Sequence, residues 1–191
     1  MAALDPKILA DLKRDGLVRE GHFAYRSGRH SGVVLDRDRL LTDPVGASHM
    51  GYALAKRFFV DHIATIAAPS IWGAGLAQWV AYFLDPKAKV VYATPKNGDL
   101  TLSDNVTDLI RGRRVLLVDN LIISGETMRR FDGAIEALGG TVVGLGTLWN
   151  SSERQIAGHD VFGLLNTLYD AHPAADCPFC AAGSTPTEVG Y

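Results

Sequence analysis

The segment Arg113–Gly140, RRVLLVDNLIISGETMRRFDGAIEALGG, holds the residue types that grip a phosphate without a lysine. An apolar run, Val115–Val118, reaches an acid and an amide, Asp119 and Asn120, and a short turn then passes through Leu121, Ile122 and Ile123 to Ser124-Gly125-Glu126-Thr127. If the run is a buried strand and the residues after the turn open a helix, several backbone N–H groups and the positive helix end face outward together. Gly125 lets the backbone come close to an anion, and Ser124 and Thr127 add hydroxyl donors. Asp119 then falls at the carboxyl end of a strand, where ligands bind in open α/β sheets. A carboxylate there accepts hydrogen bonds from two neighbouring hydroxyls of a sugar. Residues of these types also end ordinary strand-to-helix crossovers, so the loop alone does not fix a ligand.

Other reactive side chains are scattered. Cys177-Pro178-Phe179-Cys180 has zinc-knuckle spacing with His172 nearby, but a full site needs three or four ligands and no second cysteine pair exists. The spacing admits a metal pair, a redox pair or a turn in the tail; the turn is the reading adopted, and no metal is assigned to protein ligands. The six histidines show no metal spacing. His30 is read as a surface histidine, with contact to a base or phosphate as the alternative. Trp79 is read as core, while Trp72 can stack on a base or fill a diphosphate site. Arg111, Arg113 and Arg114 are read as a solvated strand entrance, or as a group that neutralises a diphosphate if a neighbouring loop folds over.

The elements that must position these residues follow from punctuation and periodicity. Asp5-Pro6 is a cap followed by a first-turn proline, and Ile8, Leu9 and Leu12 give a helical stripe that Gly16 ends. Strands are expected near His22–Arg26 and Val33–Asp36. Asp43-Pro44 repeats the start signal for a second helix through Val45, Leu54, Phe58 and Phe59. A buried strand at Ile63–Ala67, a helix at Ala74–Leu84 and a strand at Lys89–Ala93 come next. Pro95–Gly112 is polar and turn-rich, a mobile excursion or hairpin. The strand Arg114–Val118, the helix Glu126–Leu138 ended by Gly139-Gly140, and the strand Thr141–Trp149 complete the series. Alternation of strands and helices predicts an α/β fold, a parallel sheet flanked by helices. The first forty residues fall outside the alternation and are expected to form a small amino-terminal flap or hood. The division is one domain over 1–191, with the flap at 1–42, the α/β core at 43–168 and an Ala-, Pro- and Gly-rich tail at 169–191.

Composition narrows the classes. The 191 residues carry 47% hydrophobic and 21% charged side chains and a net charge of -2, ordinary globular values. No long basic run supports a nucleic-acid partner. The amino-terminal stretch has acidic residues and no apolar core of signal-peptide length, and the apolar stretch near Ile71–Leu84 is too short to span a bilayer. Two cysteines exclude a disulfide framework, so a reducing cytoplasm is expected.

The order of four apolar residues, an acid and its neighbour, spacers, then Ser/Thr-Gly-x-Thr resembles the ribose-phosphate signature of type I phosphoribosyltransferases. The resemblance implies that Asp119 and Asn120 meet the ribose hydroxyls and that Leu121 to Thr127 hold the 5′-phosphate of phosphoribosyl diphosphate. Further segments resemble orotate phosphoribosyltransferases. HFAYRSGRHSGVVLDRDRLLTDP is similar to their amino-terminal segment, APSIWGAGLA lies where they have a diphosphate loop (Trp72, Gly73, Ala74), and VVYATPKNGDL leads to a catalytic loop with Lys96 as its basic residue. LYDAHPAADCPFCAAGSTP is similar to the tail of one bacterial and archaeal subgroup. The resemblance implies catalysis by Lys96 and Asp119, a base site at Arg26, Ile123 and Ser151, Mg²⁺ held mainly by the substrate diphosphate, and a homodimer across which Lys96 acts. Its implied partners are phosphoribosyl diphosphate and a nitrogenous base or nucleotide. The sequence also departs from the pattern. Asn120 replaces the second acid, Ile123 a threonine, Asn150-Ser151 an Asp-Arg pair whose arginine meets the orotate carboxylate, Trp72 a small residue, and Arg26 a lysine. The scaffold is therefore expected to be orotate-like with an altered base pocket; a nucleotide-binding protein without turnover is the alternative.

Overall fold

The computed structural model describes residues 10, 12–36, 39–96, 99–166 and 171–190, without the side chains of Pro95 and Lys96. The start of the helix expected from Asp5-Pro6 lies outside the described residues. Its end is inside them: Leu12 is buried, and Gly16 takes a φ of +69°.

A six-stranded sheet forms the centre, in the order β4 (Lys89–Tyr92), β3 (Thr65–Ala68), β7 (Arg114–Ile122), β8 (Thr141–Asn150), β10 (His159–Asn166) and β9 (Gln155–Ile156). All neighbours are parallel except β9, which runs against β10. The run Val115–Val118 is apolar throughout because both faces of β7 are covered, as parallel sheets require. Leu116 and Val118 pack with α1 (Pro44–Phe58) and α2 (Ile71–Leu84), whereas Val115 and Leu117 pack with α3 (Glu126–Ala137). The start signal Asp43-Pro44 works as read: the Asp43 carboxylate accepts from the N–H groups of Val45 and Gly46, and Pro44 opens the helix.

The chain crosses from β3 through α2 to β4 on one side, and from β7 through α3 to β8 on the other. The carboxyl ends of β3 and β7 therefore flank a topological switch point, where such sheets open a crevice. The segment read as a mobile excursion contains the hairpin β5 (Thr94–Lys96) and β6 (Asp99–Thr101), then a 3₁₀ segment at Asp104–Leu109. Arg130 on α3 ties the hairpin down by an ion pair with Asp99 at 3.1 Å.

The hood is a second sheet, ordered β11 (Ala171–Pro173), β2 (Arg29–Leu35), β1 (Val18–Ala24) and β12 (Thr187–Glu188). The sequence reading separated the flap from the tail. Instead the tail supplies both outer strands of the hood, β11 antiparallel to β2 and β12 parallel to β1. A two-stranded hairpin leaves its edges unpaired, and the tail removes that exposure.

Helices α1 and α2 approach closely at Gly51. A methyl group there would stand 2.4 Å from the Trp79 Cβ and 3.0 Å from its backbone carbonyl carbon. Helix backbone cannot yield like the end of a flexible side chain. Overpacking of about 1–3 kcal/mol then outweighs a helix-propensity gain of about 1 kcal/mol. Gly51→Ala is therefore expected to lower the urea midpoint relative to the parent; an unchanged or raised midpoint would show that the helices can separate freely.

Candidate active site

The crevice at the switch point encloses about 440 Å³. Its floor comes from the end of β7 and the start of α3: Asp119, Leu121, Ile122, Ile123, Ser124, Gly125 and Thr127 all line it. Pro69, Ser70 and Trp72 form one wall, and Arg26 and Ser27 reach in from the β1–β2 turn.

β7 is longer than expected and runs on through Asp119 to Ile122. Asp119 thus sits within the last part of the strand, and the turn shrinks to Ile123–Gly125. Gly125 makes that turn with φ +78° and ψ -7° as the residue preceding α3, and no side chain caps the helix. The first amides of α3 thus stay available to an anion beside the exposed hydroxyls of Ser124 and Thr127. The Glu126 N–H donates to the Ser124 hydroxyl at 3.4 Å, which leaves the next amides of the turn free of a side-chain acceptor from Gly125. Glu126 turns outward and pairs with Arg129 at 3.4 Å, so its side chain belongs to the helix surface and does not line the crevice.

Asn120 departs from its expected role at the ribose. It is fully buried, and its side-chain N–H donates to the Trp72 carbonyl at 3.0 Å. Strand alternation sends Asp119 and Asn120 to opposite sides, so only Asp119 meets the crevice. The Asp119 carboxylate accepts from the Asn120 N–H at 2.8 Å. It lies so near Gly73 that a Cβ there would come within 2.9 Å of its oxygen. Gly73 and Ala74 therefore act by letting the α2 start close on β7, while Trp72 alone of the three lines the crevice. Ser70 caps α2, its hydroxyl accepting from the Gly73 N–H at 3.3 Å.

Of the residues expected at the base, Arg26 and Ile123 line the crevice and Ser151 does not. Ser151 is held just behind it, its N–H donating to the Ile122 carbonyl at 2.8 Å. Lys96 lies on β5, and its side chain falls outside the described residues. Leu100 of the same hairpin borders the chain's own crevice, where the resemblance implied reach into a neighbour. Arg114 sits at the far end of β7, with its guanidinium donating to the Asp61 carbonyl at 2.7 Å, so the strand-entrance reading of the arginines agrees with the fold and the diphosphate reading does not.

The sequence reading missed Ser27, Pro69, Ser70, Leu100, Met128 and Gly190, which also line the crevice. Ser70 was findable as a cap before an apolar helix. Gly190 carries no local signal, because only the return of the tail to the hood brings it there. His30, read as a surface residue, is buried. It lies with His22, Cys177 and Cys180, and His172 is outside that group. The reading that the cysteines have no further candidate ligands near them does not hold on the fold, because two histidines remote in sequence stand beside them.

Residues 39–171 match the phosphoribosyl transferase domain family. Over 183 residues the chain is 33% identical to an orotate phosphoribosyltransferase of Thermus thermophilus, covering 95% of this chain and 99% of that protein. The orotate phosphoribosyltransferase structure from Aeropyrum pernix superposes with a TM-score of 0.64 at 20% identity, over 83% of this chain and 93% of that one. An adenine phosphoribosyltransferase from Thermoanaerobacter pseudethanolicus superposes with a TM-score of 0.63 at 21% identity, over 83% and 99%. These two likenesses establish the fold and are indifferent to the base.

The left-handed backbone at Gly125 and the 2.9 Å approach of a hypothetical Cβ to Ile156 make this position intolerant of valine. Several amide contacts to a phosphate would fail together. Asp119→Asn keeps the size and one acceptor, and loses about 1.5–3 kcal/mol of charged hydrogen bonding, roughly a 10- to 150-fold weakening. Calorimetric titration with ribose 5-phosphate should detect the asparagine variant and register nothing for Gly125→Val. A folded valine variant that binds like the parent would place the phosphate elsewhere.

Proposed function

The chain belongs to the phosphoribosyl transferase family, and from that membership we propose that it transfers the phosphoribosyl group of phosphoribosyl diphosphate to a ring nitrogen of a base that lacks a carboxylate. The observation that carries this reading is the start of α3 at Gly125, which shares the floor of the switch-point crevice with Asp119. The amides of that helix start and the hydroxyls of Ser124 and Thr127 take the 5′-phosphate. Asp119 accepts from the ribose hydroxyls and so holds the sugar. The base enters under the hood between Arg26, Trp72 and Ile123.

In the reaction, the bond between the anomeric carbon and the diphosphate oxygen breaks as the bond to the ring nitrogen forms. The electron pair leaves with the diphosphate, and the sugar passes through an oxocarbenium-like state. The chain contributes mainly position and charge. Lys96, on the hairpin whose Leu100 borders the crevice, is proposed to meet the leaving diphosphate. Asp119 is the one carboxylate among the crevice residues, which fits a Mg²⁺ that takes most of its oxygens from substrate and water. When bound to the diphosphate, Mg²⁺ neutralises charge on the leaving group. The reading of a binding protein without turnover gains nothing from the relatives, which carry enzyme names.

The base is narrowed by Ile123 and Ser151. An orotate carboxylate needs a paired, geometrically matched donor, and neither an isoleucine nor a serine behind the crevice wall supplies one. The diagnostic measurement is diphosphate release from phosphoribosyl diphosphate with a panel of purines, pyrimidines and orotate. Loss of one buried partner is worth about 1–3 kcal/mol, so orotate is expected to fall about 5- to 150-fold below the preferred base in kcat/KM. Orotate as the best acceptor would overturn the proposed base class. Absence of diphosphate release with every base tested would revive the binding-only reading.

A homodimer is proposed from the surface of α1 and α2. Tyr82 is 66% and Tyr52 45% exposed, and both rings pack with Phe83, which also stacks on Trp79. Linked aromatic side chains on a surface mark a site of association. The two cysteines are free thiols, which fits a reducing cytoplasm, and no helix among the described residues is long and apolar enough to cross a membrane. Sedimentation at micromolar concentration should give a dimer for the parent and a monomer for Tyr82→Glu. A monomeric parent would remove this interface.

A further inference from the structure

His22 on β1, His30 on β2, and Cys177 and Cys180 around the short helix α4 (Pro178–Ala181) converge on the hood, apart from the crevice. Their ligand atoms all lie within 4.8 Å of one another. His22 Nε2 is 3.0 Å from His30 Nδ1, 3.5 Å from the Cys177 sulfur and 3.7 Å from the Cys180 sulfur, and the Cys180 sulfur is 3.2 Å from His30 Nδ1. A tetrahedral zinc ion, with bonds of about 2.0–2.1 Å to nitrogen and about 2.3 Å to sulfur, sets its ligands roughly 3.3–3.8 Å apart. Four of the six distances, at 3.0–3.7 Å, stand close to those edges, and the other two are within 4.8 Å.

The surroundings suit a cation rather than a chance polar cluster. Cys177, His22 and His30 are 2%, 7% and 8% exposed. His22 Nδ1 lies 3.0 Å from the Ser184 carbonyl. A carbonyl only accepts, so Nδ1 carries the hydrogen and Nε2 presents a lone pair to the other three groups. This backbone bond is the support that metal-binding histidines ordinarily have. Phe179 covers one side, stacked on His22 with ring centroids 5.4 Å apart, and lies against Gly32, where a Cβ would come within 2.6 Å of its ring. Two thiolates and a divalent ion sum to zero charge, which a buried site tolerates. We propose that His22, His30, Cys177 and Cys180 form a closed structural zinc site that fastens the carboxyl-terminal tail to the hood.

The site has a definite mechanical place. Between β11 and β12 the tail must pass from one edge of the hood sheet to the other. Cys177 and Cys180 lie on that passage, while His22 and His30 come from the two inner strands. The ion joins the crossing segment to the strands it crosses. Ten residues beyond Cys180, Gly190 borders the crevice. All four positions around the ion come from protein, so it has no open position for substrate and takes no part in group transfer.

The test is metal content of the parent chain, produced without an affinity tag that binds metal and purified without chelator. Plasma mass spectrometry should find one zinc per chain. Replacement by Co²⁺ should give the visible ligand-field bands of a tetrahedral centre and a thiolate charge-transfer band. The double variant Cys177→Ser, Cys180→Ser should lose the zinc, and a strong chelator should lower the melting temperature of the parent by several degrees while leaving the double variant unmoved. Should the variant fail to fold, the zinc count and cobalt spectrum of the parent still decide the matter. Parent protein without zinc that also takes up no cobalt would overturn the proposal, as would an intact mass showing Cys177 and Cys180 joined in a disulfide.

Discussion

A chain that leaves β7 and enters α3 must reverse its backbone within three residues, and it does so through the left-handed conformation of Gly125. Gly125 has no side chain with which to cap α3, so one backbone angle both ends the turn and turns the helix start toward the crevice. The turn is pinned from below. Ile156 lies under Gly125, and the Ser151 N–H holds the Ile122 carbonyl. Pinning from the side comes through Asn120, whose amide reaches the Trp72 carbonyl at the start of α2. β3 and β7 diverge at this point in connectivity. The shape of the crevice floor thus depends on where one glycine ends the turn between β7 and α3.

How much of this was readable from sequence depends on the range of the interaction. Asp43-Pro44, the apolar run Val115–Val118 and Gly139-Gly140 act within a few residues of themselves, and the elements they mark start or end where they were read to within a residue, except that β7 runs on to Ile122. The shape of the Asp119–Thr127 loop was legible for the same reason, since strand, turn and helix start are contiguous. The orientation of Asn120 was not. Its neighbour Asp119 invited reading the two as a pair, but β7 continues past both, and alternation along a strand divides them. The hood was the least legible. β11 and β12 pair with strands about 140 to 165 residues earlier in the chain, and three-residue and two-residue strands carry no periodicity from which a partner could be inferred.

The departures from the orotate pattern acquire physical content on the fold. An aspartate at position 120 would aim a buried carboxylate oxygen at the Trp72 carbonyl; the asparagine supplies a donor in its place. Ile123 lines the crevice and also packs on the hood cluster of Phe23, Tyr25, Val34 and Ala171. A threonine would set its hydroxyl beside that apolar cluster and give up part of the contact. The two substitutions therefore act in one direction. Asn120 holds β7 to α2, and Ile123 holds the crevice floor to the hood. Trp72, 42% exposed at the crevice wall, adds an apolar face where the pattern has a small residue.

Hood and core are coupled by shared apolar contacts and not by chain continuity alone. Val18 of β1, and Val33 and Leu35 of β2, pack in the same core cluster as Leu54 and Phe58 of α1. Arg26 and Ser27, at the β1–β2 turn, are thereby held over a floor built by residues a hundred positions later. The tail is the weaker part of this arrangement. β12 contributes two exposed residues and β11 three, of which only Ala171 is buried. Pairing over so few residues gives little stability on its own, since short strands need a packed face or a covalent or metal constraint to persist. What the tail does possess is Cys177, nearly as buried as the sheet core, beside two buried histidines from the strands it crosses. Short edge strands and a buried ligand cluster at the same crossing answer one requirement, which is that the roof of the crevice stay in register with its floor.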